Sequence, residues 1–153
     1  MRLVVASDSH GAAWRLADAV RQQPDAAALF FLGDGESDLR LLREQYPGLK
    51  IYAVSGNCDG SCSNLPELDA AELAGVKIMF THGHRYAVKS TEENLLAAAR
   101  ARGAQIALYG HTHKPSYRYE DGVHLFNPGS AEEHSYGVVD ITGAGIFCFH
   151  CKV

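Results

Sequence analysis

Five short polar clusters hold most of the residues that could do chemistry, and each follows directly on an apolar run. They read "SDSH" (7–10), "GDG" (33–35), "GNCDG" (56–60), "THGH" (81–84) and "GHTH" (110–113). Five of the eight histidines lie in these clusters. Carboxylates, imidazoles and one carboxamide suit manganese, iron, zinc or nickel better than calcium or magnesium. The clusters therefore predict a metal site built from Asp8, His10, Asp34, Asn57, His82, His84, His111 and His113.

The set contains more donors than one ion can hold, and an aspartate can bridge two ions. Two ions roughly 3.5–4 Å apart form a clamp for in-line displacement at phosphorus, because they lower the pKa of a bound water and offset charge on the phosphate oxygens. Any one of these clusters alone is weak evidence for a metal site, since Asp-Gly is common in ordinary turns. Five of them at strand ends favour the metal site.

The first third of the chain alternates strands and helices. The runs "RLVVAS", "AAALFFLG" and "LKIYAVSG" predict strands, and residues 11–23 and 36–46 predict helices, the first with Trp14, Leu16, Ala17 and Val20 at helical spacing. This βαβαβ order predicts a parallel sheet with right-handed crossovers. The carboxyl ends of its strands converge on one rim, where ligands bind.

The remaining chain predicts a loop over 61–73, strands at "VKIMFTHG" and "QIALYGHTH", and a helix over 90–103 with Ser90 or Thr91 as N-cap. Hairpin signals follow at Asp121-Gly122 and Thr142-Gly143. We expect one α/β domain over residues 1–153, with the last third mostly antiparallel.

Composition excludes several classes of partner. The 153 residues carry a formal charge of −4, and without basic runs the chain has no clear nucleic-acid footprint. No apolar segment approaches the roughly 18 residues of a membrane span, and the first ten residues turn polar too early for a signal peptide. We expect a cytoplasmic protein that acts on a small substrate. The oligomeric state is open, with a homodimer among the alternatives.

Four cysteines, in pairs at Cys58 and Cys62 and at Cys148 and Cys151, suggest a structural zinc site. The second pair lies in a strand-like run, where residues three apart point to opposite faces. Buried or edge-strand thiols in a reducing cytosol are therefore the favoured interpretation. Cys58 itself could be a nucleophile, a metal ligand or a bystander.

The order of the motifs resembles the calcineurin-like metallophosphoesterase superfamily, whose series is D-x-H, G-D, G-N-H-D, a strand-end histidine and G-H-x-H. Here the series runs from Asp8 to His113, and the later "NPGS" (127–130) is also similar. The short chain and the cysteine in the third motif resemble the small YfcE-type phosphodiesterase branch.

The resemblance implies a four-layer α/β/β/α sandwich and a hydrolase that uses two divalent ions, with manganese favoured over iron, zinc or nickel, on a small phosphodiester or a monoester. It assigns Asp8, His10 and His113 to the first ion. Asp34 would bridge, and the second ion would be held by Asn57, His82 and His111. His84 is assigned to the substrate side or an outer position, so that the implied catalytic residues are Asp8, Asp34, Asn57 and His84.

Cys58 departs from the family pattern, which has a histidine there that is thought to stabilise the phosphate and protonate the leaving group. A neutral thiol is a poorer acid at pH 7 and carries no positive charge. Asp59 would then be a turn or outer residue rather than half of a catalytic pair. Two alternatives stay open: a non-catalytic metal-binding scaffold or interaction module, such as the retromer subunit of this fold, and a hydrolase with Cys58 as nucleophile.

Overall fold

Strands and helices alternate through the first part of the chain and give way to strands in the last third. The computed structural model describes residues 1–61 and 63–153. The α-helices are α1 (Ala13–Arg21), α2 (Leu39–Gln45) and α3 (Glu93–Ala101). The strands are β1 (Arg2–Ala6), β2 (Ala26–Phe31), β3 (Lys50–Ala53), β4 (Leu68–Leu73), β5 (Val76–Thr81), β6 (Ile106–Leu108), β7 (Ser116–Glu120), β8 (Val123–Asn127), β9 (Ser135–Thr142) and β10 (Gly145–Lys152).

The strands form two mixed sheets of five strands each. The first has the order β10-β9-β1-β2-β3, and the second has the order β4-β5-β6-β8-β7. The three strands β1, β2 and β3 are parallel, as the βαβαβ pattern predicts. In the second sheet β5, β6 and β8 are parallel, while both of its edge strands pair antiparallel.

Three apolar cores separate four layers. Leu3 and Phe30 of the first sheet pack in a central core with Phe80 and Phe126 of the second, and the rings of Phe30 and Phe80 meet edge to face at 5.0 Å. Helices α1 and α2 cover the outer face of the first sheet, and α3 covers that of the second. The predicted four-layer α/β/β/α sandwich is confirmed.

The apolar stripe of α1 differs from the predicted one. Leu16, Ala19 and Val20 are buried, whereas Trp14 is 57% exposed. Two residues of a helix turn about 200°, so Trp14 cannot share the face of Leu16. The buried stripe follows Leu16 because its next neighbours on that face are Ala19 and Val20.

Strand β4 occupies part of the segment predicted as a loop. It pairs antiparallel with β5 through a turn at Ala74 and Gly75. Its exposed acids, Asp69 and Glu72, interrupt any apolar run, because an edge strand needs no continuous buried face. The loop prediction was wrong for this reason.

The predicted helix caps also need correction. Helix α3 starts at Glu93 with Glu92 as N-cap and no side-chain cap, so the expected cap at Ser90 or Thr91 was wrong. The Thr91 hydroxyl instead accepts a hydrogen bond from the backbone N–H of Glu93 at 3.3 Å. The second predicted helix is a 3₁₀ turn at Glu36–Asp38 followed by α2.

Both hairpins are confirmed. Asp121 and Gly122 take φ values of 51° and 81° between β7 and β8, as a type I′ turn requires. In β10, Cys148 packs into the central core and Cys151 against the outer core, so these thiols point to opposite faces. Cys62 lies outside the described residues.

Among the described residues no helix combines the length and apolar character needed to cross a membrane.

Candidate metal centre

The polar clusters meet where the carboxyl ends of the parallel strands of both sheets face each other. Asp8, Asp34 and Asn57 follow strands of the first sheet, while His82 and His111 follow strands of the second. The backbone N–H of His111 donates to Asp8 Oδ2 at 3.1 Å and joins the sheets at this point. The single rim expected from the sequence is therefore two facing rims.

Asp8 lies at the centre with one oxygen held and one oxygen free. Its side chain is fully buried, and Oδ2 accepts hydrogen bonds from the Ser7 hydroxyl at 2.5 Å and from His111 N–H. Buried Oδ1 has no hydrogen-bond partner. The Nε2 atoms of His113, His10 and His82 lie 3.2, 3.9 and 3.9 Å from Oδ1. A buried carboxylate oxygen surrounded by imidazole nitrogens fits a cation.

Asp34 is arranged in the same way. Its Oδ1 accepts the backbone N–H of Cys58 at 2.7 Å, and its Oδ2 lies 3.4 Å from His82 Nε2 and 4.0 Å from His10 Nε2. Burial opposes ionisation, but the hydrogen bonds from His82 and Cys58 outweigh it and hold the pKa of Asp34 well below its usual value. This carboxylate is therefore charged at neutral pH.

His82 is oriented by a contact across the two sheets. Its Nδ1 lies 2.7 Å from the carbonyl oxygen of Leu32, so Nδ1 donates and Nε2 faces the aspartates. Burial works against the charged imidazolium, but the hydrogen bond with Asp34 and the charges of Asp8 and Asp34 raise the pKa of His82. Its neighbour His111, with Nδ1 at 3.2 Å from His82 Nε2, has its pKa lowered to about 4 by burial and by His82.

Three groups of three side chains bring donor atoms within 4.8 Å of one another. They are Asp8, His10 and His113; Asp8, Asp34 and His82; and His10, Asp34 and Cys58. These groups contain five of the seven predicted ligands, and His111 touches one of them. The donor set fits a divalent metal site with oxygen and nitrogen ligands. The division of these ligands between two ions stays a prediction.

Asn57 and Cys58 lie at the exposed edge of the centre. The side-chain amide of Asn57 donates to Cys58 Sγ at 3.2 Å, and both residues are exposed. Partial burial and the nearby Asp34 carboxylate raise the pKa of the Cys58 thiol above its usual range. The thiol is therefore neutral at pH 7.

His84 lies beside the predicted ligands. Its ring centroid is 5.5 Å from that of His82 and 6.1 Å from that of His111. Its buried Nδ1 has no hydrogen-bond partner, and burial and His82 lower its pKa. His84 lines a cavity of about 430 Å³ together with Asn57, a position that suits contact with a substrate.

Backbone strain concentrates at the centre. Left-handed φ values occur at Asp8 (55°), His10 (43°), Asp34 (59°), His111 (68°) and His113 (61°). Such conformations are uncommon for residues other than glycine, and they persist where the surroundings fix them. The sequence carries no signal for this strain, because these residue types do not demand a positive φ.

Comparison with known proteins places this centre in a family. Residues 1–144 match the calcineurin-like phosphoesterase superfamily domain. The chain belongs to this superfamily. It is 33% identical over 132 residues to the probable metallophosphoesterase YsnB of Bacillus subtilis, covering 85% of this chain and 75% of that protein. It is also 29% identical over 169 aligned positions to the phosphodiesterase YfcE of Escherichia coli, covering 92% and 88% of the two chains.

Solved structures agree with the fold. A predicted phosphoesterase from Streptococcus pneumoniae superposes with a TM-score of 0.76 and 28% identity, over 98% of this chain and 97% of that chain. Vps29 of Entamoeba histolytica, solved with zinc, has a TM-score of 0.74, 19% identity and 99% coverage of both chains. At that identity the likeness to Vps29 concerns the fold alone.

Asp59 supports this metallophosphoesterase centre in a way that the sequence did not indicate. Its two carboxylate oxygens accept the backbone N–H groups of Asp34, Gly35, Glu36 and Gly56 at 2.7–2.8 Å. The expectation of a turn or outer residue is consistent with this contact. The signal was an aspartate after "GNC", but three of its four partners lie 23 to 25 residues away in the chain.

Three more polar residues hold the loops of the superfamily motifs. Asp38 Oδ2 accepts the Ser9 hydroxyl at 2.6 Å and the Gly11 N–H at 2.9 Å. In "NPGS", Asn127 donates to the Gly110 carbonyl at 2.9 Å, and the Ser130 hydroxyl donates to the backbone carbonyl of Asp8 at 2.9 Å. The "NPGS" segment thus links the first and last motifs.

Proposed function

We propose that this protein is a metal-dependent phosphodiesterase that hydrolyses its substrate at a dinuclear site, with phosphomonoesters as secondary substrates. The observation that carries the proposal is Asp8 Oδ1, which is buried, has no hydrogen-bond partner and is surrounded by three imidazoles. A charged oxygen in that setting is stable only beside a cation. Membership of the phosphoesterase superfamily supports hydrolysis at phosphorus.

The proposed ligand roles use the donor atoms that are not already occupied by hydrogen bonds within the protein. Asp8, His10 and His113 would hold one ion, and Asn57, His82 and His111 would hold the other, with Asp34 between them. When bound, such ions would lower the pKa of a coordinated water, would supply hydroxide as nucleophile at neutral pH, and would offset charge on the phosphate oxygens.

The chain itself orients the donors. The backbone N–H groups that bind one oxygen of Asp8 and one of Asp34 aim the other oxygen at the centre. The Leu32 carbonyl does the same for His82 Nε2. Such outer contacts fix ligand tautomer and angle.

Substrate and leaving group are handled at the open edge. His84, which lines the cavity beside Asn57, contacts the substrate in this proposal. Cys58, a neutral thiol, is a weak proton donor at pH 7, so we expect esters with good leaving groups to react fastest.

The remaining assignments follow from composition. We propose manganese as the preferred ion, because the donor set mixes carboxylates and imidazoles, with iron, zinc or nickel as substitutes. The formal charge of −4 and the absence of basic runs favour a small phosphodiester over nucleic acid. A single domain in the cytoplasm completes the proposal, with the oligomeric state, a homodimer included, to be measured.

The decisive test combines turnover with metal analysis. The manganese-loaded protein is expected to hydrolyse bis(p-nitrophenyl) phosphate, and Asp34→Asn is expected to reduce kcat/KM by more than about 10³-fold, since metal stabilisation of the transition state amounts to several kcal/mol. Glu44→Gln, on exposed α2, is the matched control and should keep wild-type activity. A folded, metal-replete protein without turnover would contradict the proposal.

The alternative is a non-catalytic metal-binding scaffold or interaction module of the same fold. The complete set of seven predicted ligands argues against it. Fewer than one ion per chain under metal-replete conditions, together with no turnover, would favour this alternative.

A further inference from the structure

A cavity of about 670 Å³ opens from the metal centre toward helix α2. His10, Asp34 and Cys58 form its inner end, and Arg40 and Arg43 of α2 lie on its wall with Glu36. The inner three residues are one of the groups whose donor atoms lie within 4.8 Å of one another. A substrate held at the metal centre can therefore extend one of its arms along this cavity.

The two arginines are available for an external anion. They are three positions apart on α2 and so share one face of the helix. Within the described part of the chain, Arg40 pairs with the exposed Glu44 alone, at 3.0 Å, and an exposed pair of this kind contributes little. Arg43 has no carboxylate partner among the described residues and is exposed.

Two of the three carboxylates that line the cavity already have partners, although all three keep their charge. Asp59 already accepts four backbone N–H groups, and Asp34 belongs to the metal centre. Glu36 is the remaining acid that lines the cavity in the described part of the chain. Two guanidinium groups therefore face one free carboxylate.

We propose that this cavity binds a second phosphate group, carried by one arm of the phosphodiester substrate, through Arg40 and Arg43. The inference rests on the proposed function, because it assigns the substrate class of the same site. Guanidinium groups bind phosphate through paired N–H donors, and these charge-assisted hydrogen bonds are stronger than neutral ones. The preferred substrate is thus a diester with a further phosphate on one arm, rather than a diester with two neutral arms.

Two chromogenic nucleotide diesters that differ by one phosphate test the proposal. They are thymidine 5′-(p-nitrophenyl phosphate) and its 3′-phosphorylated form, and both release p-nitrophenolate when water adds to phosphorus and the P–O(aryl) bond breaks. The wild type is expected to favour the 3′-phosphorylated ester in kcat/KM by about 10-fold at low salt. Because exposed charges are screened, the preference should fall as ionic strength rises.

Charge variants locate the contact. Arg43→Gln should reduce the preference to about 3-fold, and Arg40→Gln with Arg43→Gln should abolish it. Glu36→Gln should increase it, because the opposing charge is removed. Arg102→Gln is the control, since Arg102 is exposed and lies at the end of α3 rather than at the cavity. Arg102→Gln should keep wild-type activity on bis(p-nitrophenyl) phosphate and on both nucleotide esters.

Binding without turnover gives a second readout. Isothermal titration calorimetry should find thymidine 3′,5′-bisphosphate bound more tightly than thymidine 5′-monophosphate by wild type, and equally by the double arginine variant. Hydrolysis of both esters at equal rates, or a preference that survives the double substitution, would overturn this inference alone. Failure to hydrolyse either ester would overturn the proposed function, and this inference with it.

Discussion

The two sheets contribute different chemistry to the metal centre and control it in different ways. The first sheet supplies both aspartates, and backbone N–H groups bind one oxygen of each. The second supplies every predicted imidazole ligand except His10, and its His82 is oriented by a carbonyl oxygen of the opposite sheet. In each case a hydrogen bond occupies one atom of the side chain and leaves its partner atom for a cation. The strand that precedes each cluster thus determines which donor residues it carries. Hydrogen bonds between loops that are distant in sequence determine where the donor atoms point.

After Asp34→Asn, the largest expected effect comes from the imidazole ligands of the second sheet. His82→Ala removes a predicted ligand and leaves the buried carbonyl of Leu32 without its donor, so we expect more than about 100-fold loss of kcat/KM and about 1–3 kcal/mol of destabilisation. His84→Ala removes a residue with no such bond and should lower kcat/KM by about 10-fold.

Metal content separates these two histidines. Mass spectrometry of metals in the purified variants should find a reduced content in His82→Ala and the wild-type content in His84→Ala. Equal metal loss in both variants would make His84 a ligand and would contradict its assignment to the substrate side.

The next largest expected effect comes from the first sheet, which supplies the aspartates. Asp59→Ala leaves four backbone N–H groups around Asp34 and Gly56 without their acceptor. We expect a loss of about 2–4 kcal/mol in the free energy of unfolding and about 10- to 100-fold lower kcat/KM, because the backbone of Asp34, a predicted ligand, is no longer held. Urea unfolding and steady-state kinetics measure the two losses.

Two variants control for the size and charge of this aspartate. Asp59→Asn keeps one acceptor oxygen and should lose less stability than Asp59→Ala. Asp69→Ala, on the exposed edge strand β4, should be near neutral. Unchanged stability in Asp59→Ala would show that water replaces the carboxylate at these amides.

The polar clusters at strand ends predicted which residues could act as metal ligands, but not which residues hold those ligands in place. Asp8 and His82 each follow a continuous apolar run, and that signal is local. Asp59 and Asn127 act through backbone groups far along the chain, so no spacing rule reveals their partners. The division into two sheets was expected from the family resemblance and not from the strand pattern, because β3 and β5 look alike in composition and differ only in what they pair with.

A smaller effect is expected at Cys58, the position where the superfamily pattern has a histidine. Cys58→His introduces a better acid near neutral pH, so kcat/KM on poorly activated diesters should rise by about 10-fold or more. Bis(p-nitrophenyl) phosphate, whose leaving group needs no proton, should show little change. If the variant folds, binds metal and gives no selective gain, a missing acid at position 58 is the wrong explanation.

The smallest expected effect concerns the reactivity of the same thiol. Because partial burial and Asp34 raise the pKa of Cys58 above its usual range, its alkylation by iodoacetamide in metal-free protein should be slow at pH 7. The rate should rise about 10-fold per pH unit until the pH passes that pKa, since the thiolate is the nucleophile. Peptide mapping by mass spectrometry distinguishes Cys58 from Cys148, whose pKa burial raises to about 12.

Asp34→Asn removes the negative charge, lowers the pKa of the thiol and should accelerate alkylation at pH 8 by a few-fold, about what one nearby charge gives. Fast alkylation of the wild type at pH 7 would instead indicate a thiolate, and would restore Cys58 as a nucleophile.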